Sequence, residues 1–257
     1  MGGHLDAELD RGLIMRVLEL WRYPVKSLQG ERLDEAEVGA LGIAGDRRWA
    51  LFDRDTGLGL TARRVPELLF ASARLRTDGG VEVILPDGTV TTDEAAISAW
   101  LGRRVELRAA TEQGGVAPTY EAPVDEDAFD PTQWQQWEGA PGPFHDSPRV
   151  RLSLVSTGTL GTWDRRRFRA NVVLDGEGEE QLRGHEAYLG SVRLRFGVPI
   201  ARCVMTTRPQ AGGIARDTSV LKTIHRERNG LLAVRAAVLE AGAVHTGDLL
   251  VPGRSAD

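Results

Sequence analysis

The chain contains a single cysteine, Cys203, among 257 residues. One thiol cannot form an internal disulfide, a cysteine-based zinc cluster or a self-contained iron–sulfur cluster. Three signatures of nucleotide and zinc sites are also missing from the sequence: a Walker A loop, a G-x-G-x-x-G fingerprint and an H-E-x-x-H pair. The sequence therefore gives no support to a nucleotide-dependent enzyme or a zinc hydrolase.

Long apolar runs are missing as well. No stretch approaches the roughly 20 apolar residues that a membrane helix requires. The N-terminus is acidic and lacks the apolar region of a signal peptide. We expect residues 1–13 to be a disordered leader. Together with the lone cysteine, these absences predict a cytoplasmic protein without a membrane partner.

Basic residues are distributed unevenly along the chain. The net charge of −5 argues against general binding of nucleic acid, which is not expected as a partner. Residues 151–235 nevertheless contain 15 basic and 8 acidic side chains, whereas residues 109–148 contain 8 acidic and no basic ones. This distribution predicts that the C-terminal half contacts an anion.

Alternation of apolar and polar residues predicts many short strands and few helices. The fold class we expect is mainly β with some α (α+β), with a β-barrel-like architecture. The predicted strands include residues 59–63 and 168–175. Residues 231–240 could form a helix or a strand, and the turns around them favour a strand. Helices are expected at residues 93–101, capped by Thr92, and at residues 218–228, with Leu221 and Ile224 facing inward, and a short helix is expected to begin within residues 157–163.

The segment 111–148 has a composition of its own. It contains six of the 12 prolines and five aromatic residues: Tyr120, Phe129, Trp134, Trp137 and Phe144. Five aromatics are many for a solvated linker. We expect an ordered connection that packs its aromatic side chains on the rim of the barrel, although a flexible linker is the alternative.

Several residues could carry chemistry. Cys203 follows a predicted strand beside Arg202, and a neighbouring guanidinium group favours the thiolate, although a lone cysteine is also commonly a small buried side chain. Four arginines precede another strand, and arginine suits phosphate because its planar fork can bond two oxygens. Arg169 and Asn171 are two residues apart, so in a strand they would face the same side.

Six short motifs occur in one order between residue 14 and the end of the chain. They are Y-P-V-K-S, G-D-R-R-W, T-A-R, F-R-A-N-V-V, R-C-V-M-T-T and a closing T-G-D. In this order the sequence resembles the MOSC family, and within it the mitochondrial amidoxime-reducing components and their bacterial relatives. Two departures are Ala170, where the family has proline, and residues 208–212, where it often has an acidic D-P-x-T-G.

The resemblance implies a domain organisation and a site. An N-terminal MOSC β-barrel domain would span residues 14–110, a connection 111–148 and the MOSC domain 149–257. Cys203 would bind molybdenum as the catalytic residue, and the molybdopterin would supply the other sulfur ligands. The residues implied to hold this molybdenum cofactor are Lys26, Arg47, Arg63, Ser156, Arg169, Asn171, Thr206 and Thr207.

The resemblance also implies a reaction. The leading hypothesis is reduction of small N-hydroxylated compounds (hydroxylamines, amidoximes or hydroxamates) with electrons from a separate ferredoxin-, flavin- or cytochrome-type protein. One alternative is sulfur transfer through a persulfide on Cys203. Another is a non-catalytic carrier of the molybdenum cofactor.

Overall fold

The regular structure of the protein consists mainly of short strands. The computed structural model describes residues 13–110, 117–125, 132–147 and 149–253. The strands in these ranges are β1 Met15–Arg22, β2 Glu31–Leu33, β3 Glu35–Gly39, β4 Gly42–Ile43, β5 Trp49–Asp53, β6 Ser72–Leu75, β7 Val81–Ile84, β8 Val90–Thr91, β9 Val105–Ala109, β10 Thr119–Pro123, β11 Trp134–Glu138, β12 Leu152–Ser156, β13 Val172–Leu174, β14 Glu186–Leu189, β15 Val192–Ala201, β16 Leu231–Glu240, β17 Gly242–His245 and β18 Leu249–Pro252. The α-helices are α1 Glu94–Leu101, α2 Thr157–Leu160 and α3 Ser219–Arg228, and 3₁₀ turns lie at Pro66–Phe70, Arg165–Arg167, Glu179–Leu182 and Val204–Thr207. The prediction of a mainly β fold with some α structure is confirmed.

Seven strands close into a barrel. Their order is β13, β12, β16, β15, β14, β18 and β1, and pairing between β1 and β13 completes the ring. Inward-facing side chains alternate with outward-facing ones, as in β1, where Met15, Val17 and Leu20 are buried in the barrel core. The barrel prediction is confirmed, and the structure adds that β1 pairs with the strands of the second half of the chain.

A second core lies beside the barrel. It is built by α1 and by two small sheets, one of β5 and β9 and the other of β6, β7 and β8. Leu51, Leu68 and Ile97 are fully buried there. The cap of α1 is Asp93, whose side chain accepts a hydrogen bond from the N–H of Ala95, so the predicted cap, Thr92, lies one residue too early. A carboxylate also suits the positive end of the helix dipole.

Two predicted strands are wrong in part. Residues 59–63 form only isolated bridges, at Gly59, and the chain then turns. The turn is made because the N–H groups of Arg64 and Val65 both donate to the carbonyl of Thr61. Strand β13 begins only at Val172, and Arg169 has a φ of +53°. Arg169 and Asn171 therefore do not share the face of a strand. Helix α3 and strand β16 follow the prediction, with Leu221 and Ile224 buried.

The described part of the connection forms a hairpin. Strands β10 and β11 pair antiparallel, and the opposed rings of Tyr120 and Trp137 lie 5.0 Å apart. Tyr120 and Phe144 are buried. Residues 111–116, 126–131 and 148, with Phe129 among them, lie outside the described residues, as does the predicted leader up to residue 12.

No helix in the described part of the chain is both long enough and apolar enough to cross a membrane.

Candidate functional site: a cationic cavity beside the barrel

A cavity of about 480 Å³ lies between the barrel and the second core. On the barrel side, its wall includes residues of β15 and β16. Arg235 of β16 faces outward into this wall because its neighbours Val234 and Ala236 point into the barrel core. The opposite wall includes Lys26 and Arg63 from the first half of the chain. Both halves of the sequence are needed to form the cavity.

Six of the nine site residues named from the sequence line this cavity. They are Lys26, Arg47, Arg63, Arg169, Cys203 and Thr206. The first three and the last three come from distant parts of the chain, and the fold brings their side chains to one surface. A thiol and several cations therefore face the same enclosed space.

The other three named residues use their polar atoms within the protein. The hydroxyl of Ser156 accepts from a backbone N–H in the first turn of α2 and caps that helix. The side chain of Asn171 accepts a hydrogen bond from Ser153 at 2.9 Å, and the hydroxyl of Thr207 donates to a carbonyl three residues earlier. All three are buried, and the cavity wall does not include them. The predicted contact of these three residues with a cofactor stays a prediction.

Three residues of the wall have backbones in the left-handed region. The φ angles are +69° for Ser27, +51° for Arg47 and +53° for Arg169. For residues other than glycine this conformation costs about 1–3 kcal/mol each, and it persists only where the surrounding structure holds it. The N–H of Arg47, for example, donates to the carbonyl of Tyr23 at 2.7 Å. Strain of this kind concentrates at functional sites.

The ring of Tyr23 holds two arginines of the wall. Its centroid lies 5.1 Å from the guanidinium carbon of Arg47 and 4.4 Å from that of Arg169. The Tyr23 hydroxyl donates to the carbonyl of Ala170 at 3.2 Å, which fixes the ring. Burial, with the nearby charge of Arg47, lowers the pKa of Arg169 to about 10. Cation–π contacts thus hold two like charges close together.

Positive charge dominates the wall. The basic residues there are Lys26, Arg47, Arg63, Arg167, Arg169, Arg202 and Arg235, whereas Asp146 is the acidic one among the described residues. Burial lowers the pKa of Lys26, and its ion pair with Asp146 opposes that shift. Partial desolvation in the cavity would raise the pKa of Asp146, but the charges of Lys26 and Arg63 outweigh it and hold this pKa well below its usual range. Clustered cations of this kind suit an anionic ligand.

Cys203 lies at the start of the 3₁₀ turn Val204–Thr207. Its side chain is half-buried and faces the cavity. The hydroxyl of Thr206 donates to the carbonyl of Cys203 at 3.0 Å, which fixes the turn. The adjacent Arg202 donates to the carbonyls of two neighbouring elements, and burial lowers its pKa to about 10. The sulfur is therefore accessible from the cavity beside a guanidinium group.

Several residues of the wall were not predicted from the sequence to be site residues. Thr61 Oγ1, Trp137 Nε1 and Arg202 Nη2 are buried and have no hydrogen-bond partner among the described residues. Buried polar groups normally have partners, so these atoms suit a ligand that carries acceptors. Thr61 begins the T-A-R motif and Arg202 precedes the cysteine, so the sequence motifs could have identified both as site residues. No motif contains His145 or Asp146, which also line the wall.

Fold and cavity together define a class: a protein in which a closed β-barrel and a second core enclose a cationic cleft that contains a single thiol. Residues 14–118 match the model of the MOSC N-terminal beta barrel domain, and residues 145–251 match that of the MOSC domain. The two matches cover most of the chain, which belongs to the MOSC-domain family.

The chain is similar to two named relatives. Mitochondrial amidoxime reducing component 2 of Bos taurus is 27% identical over 244 residues, covering 82% of this chain and 72% of that protein. Mitochondrial amidoxime-reducing component 1 of Homo sapiens is 26% identical over 247 residues, with the same coverage of both chains. A solved structure of the YUAD protein from Bacillus subtilis aligns with 93% of this chain and covers 94% of the YUAD chain, at 13% sequence identity. Its TM-score is 0.41, so no argument is based on this similarity.

Proposed function

We propose that this protein binds the molybdenum cofactor in the cationic cavity and reduces N-hydroxylated compounds such as hydroxylamines, amidoximes and hydroxamates. The observation that carries the proposal is the position of Cys203 on the wall of the same cavity as Lys26 and Arg169. A ligand with a metal at one end and a phosphate at the other would meet both. The names of the two relatives support the reaction class.

The donor set of the cavity fits this cofactor. No group of three or more His, Cys, Asp or Glu side chains that could hold a metal occurs among the described residues. A metal bound by Cys203 would therefore bring its remaining ligands with it, as molybdopterin does through its sulfur atoms. Thiolate is a soft ligand that suits such a centre.

The remaining wall residues fit the organic part of the cofactor. Lys26 and Arg169 would hold the phosphate, and Arg47 and Arg63 would add to the positive field around it. The unpartnered donors of the wall would meet the acceptor atoms of the pterin. Thr206 would keep Cys203 in position through its hydrogen bond to the cysteine carbonyl.

The cofactor, when bound, supplies two-electron redox chemistry. Cleavage of an N–O bond to give N–H and water consumes two electrons and two protons. The electron donor we propose is a separate protein of the ferredoxin, flavin or cytochrome type. We place the protein in a reducing compartment such as the cytoplasm, because Cys203 is accessible and would be oxidised elsewhere.

Metal and pterin content, followed by a reduction assay, test the proposal. The purified protein, loaded with cofactor, is expected to contain molybdenum and to reduce benzamidoxime with reduced methyl viologen as electron donor. Arg169→Gln should lower the pterin content at least tenfold, the order expected for a lost charged hydrogen bond. Arg74→Gln, which removes an exposed arginine paired with Glu82, should leave it unchanged.

Three outcomes would overturn parts of the proposal. Loaded protein that reduces neither benzamidoxime nor a hydroxylamine would support a non-catalytic carrier. A persulfide on Cys203, detected by mass spectrometry in protein without reductase activity, would support sulfur transfer. Failure to bind the cofactor under loading conditions that work for a bovine relative would remove the whole assignment.

A further inference from the structure

The guanidinium group of Arg235 has no polar partner among the described residues. The other basic residues of the wall are tied to carboxylates, backbone carbonyls or other partners within the chain. The side chain of Arg235 makes no hydrogen bond, ion pair or ring contact with any residue that the structure describes, whereas its backbone is paired within the barrel. Its guanidinium group is therefore free to bind a ligand in the cavity.

A β-bulge on the neighbouring strand makes room for the side chain of Arg235 on the cavity wall. Phe196 pairs with Ala236 and Pro199 pairs with Val234. Two residues of β15, 197 and 198, therefore lie opposite the single residue Arg235 of β16. Bulges of this kind redirect side chains and are common beside functional sites. Gly197 lies within the bulge, and a Cβ on it would lie 2.7 Å from Nε of Arg235. The glycine leaves the space that the arginine side chain occupies.

The wall next to Arg235 is apolar. Val198, Pro199, Ile200 and Leu231 line the cavity there. Leu231 pairs with Ala201, two residues before Cys203, so Arg235 lies four residues further along β16. At about 3.3 Å per residue this is at most roughly 13 Å, because the left-handed backbone at Ala233 shortens the strand there. An apolar surface therefore extends from the region of the thiol to an unpaired cation.

We infer that Arg235 and this apolar surface form a substrate subsite for a carboxylate. The preferred substrates would be N-hydroxylated compounds with an apolar body and a carboxylate at the end remote from the N–O group. The fork of a guanidinium group matches a carboxylate through two parallel hydrogen bonds. The reaction part of this inference rests on the proposed function, whereas carboxylate binding does not.

Direct binding tests the subsite without any reaction. Benzoate and benzamide, which are similar in size, are titrated into the purified protein and followed by NMR line broadening or calorimetry. Arg235→Gln should weaken benzoate binding about tenfold, the order of one charge-assisted hydrogen bond, and leave benzamide binding unchanged. Arg235→Lys should give an intermediate loss because it keeps the charge without the fork.

The matched control removes an arginine from the neighbouring strand. Arg195 lies on β15, is exposed and pairs with Glu186 outside the cavity. Arg195→Gln should bind benzoate as the wild type does. If Arg195→Gln and Arg235→Gln weaken benzoate binding equally, the effect is due to overall charge and the subsite is overturned. Wild-type benzoate affinity in Arg235→Gln would overturn it as well.

Kinetics test the preference in cofactor-loaded protein. Wild type should show a KM about tenfold lower for 4-carboxybenzamidoxime than for benzamidoxime, and Arg235→Gln should abolish this difference with little change in kcat. Loss of pterin from Arg235→Gln would place Arg235 in cofactor binding and overturn the inference. If wild type reduces neither compound, the proposed function fails, and the benzoate titration still decides the role of Arg235.

Discussion

Lys26 and Asp146 form an ion pair on the wall of the cavity although they lie in different halves of the chain. The Lys26 ammonium group is almost fully buried and donates a second hydrogen bond to the carbonyl of Phe144 at 3.0 Å. Asp146 is two-thirds exposed, at 66%, on the cavity side. An anion that enters the cavity therefore competes with Asp146 for Lys26.

This competition predicts opposite effects for two substitutions. Asp146→Asn should bind inorganic phosphate several-fold more tightly, because a negative charge is removed from the wall. Lys26→Gln should bind it about tenfold more weakly, the order of one charged hydrogen bond. Both are measured by calorimetric titration at pH 7, with Asp78→Asn, an exposed residue paired with Arg76, as control. Weaker phosphate binding by Asp146→Asn would mean that the carboxylate instead orients Lys26 for the anion.

His145 predicts a dependence of stability on pH. Burial, with the nearby charge of Arg47, lowers the pKa of His145 from 6.5 to about 3. The unfolded chain therefore binds a proton that the folded chain does not, so stability present above about pH 6.5 is lost as the pH falls toward 3. The slope is about 1.4 kcal/mol per pH unit at most.

Urea unfolding between pH 4 and 7.5 measures this slope. His145→Gln should flatten it relative to wild type, because the substituted residue does not titrate. His185→Gln, which removes a histidine outside the cavity, is the matched control for the loss of one imidazole group. Identical slopes in wild type and His145→Gln would show that His145 is protonated in the folded protein.

The substitution Cys203→Ser distinguishes a metal-binding role of Cys203 from a packing role. The substitution nearly preserves volume, so folding stability should change by about 1 kcal/mol. An alcohol is a harder and less acidic donor than a thiol, so reduction of N-hydroxylated substrates should fall to background. Pterin content should persist through the contacts of Lys26 and Arg169. Full activity in the loaded, folded variant would remove Cys203 from the mechanism.

The hairpin of the connection should be a stable part of the fold. Backbone amides within Thr119–Pro123 and Trp134–Glu138 are expected to exchange hydrogen as slowly as those of the β6–β8 sheet, measured by mass spectrometry on the same sample. Tyr120→Ala should remove this protection, because a fully buried ring is lost. Exchange throughout the hairpin at the rate of an unstructured peptide would contradict the packing of its aromatic side chains.

Local patterns predicted the regular parts of the fold. Helix α3 has the period of an amphipathic helix, and Leu221 and Ile224 are buried as expected. Strand β16 forms where the flanking turns favoured a strand over a helix. Residues 59–63 show the limit of such patterns. Their alternation suits a strand, but two hydrogen bonds to the carbonyl of Thr61 turn the chain there, and these depend on contacts that no short window contains.

Residue type alone drew attention to part of the cavity wall, and the resemblance to the MOSC family named Lys26, Arg63 and Thr206 in addition. A lone cysteine and scattered arginines stand out in the sequence, and Cys203, Arg47 and Arg169 do share one cavity. The left-handed backbone at Arg169 and the bulge opposite Arg235 arise from strand pairing and tertiary hydrogen bonds. Neither feature follows from a local sequence pattern, so the backbone conformation of Arg169 and the space beside Arg235 could not be predicted from the sequence.

The closure of the barrel by β1 has a consequence for synthesis on the ribosome. Strand β1 is synthesised before its partners β13 and β18. The barrel can therefore close only after Leu249–Pro252 has been synthesised, on the order of tens of seconds later at ordinary elongation rates. The second core can form during that interval, whereas the barrel cannot. A fragment that starts at residue 145 would expose two unpaired strand edges and associate through them. A circular permutant that places β1 directly after β18 would let both partners of that strand precede it and would shorten the wait.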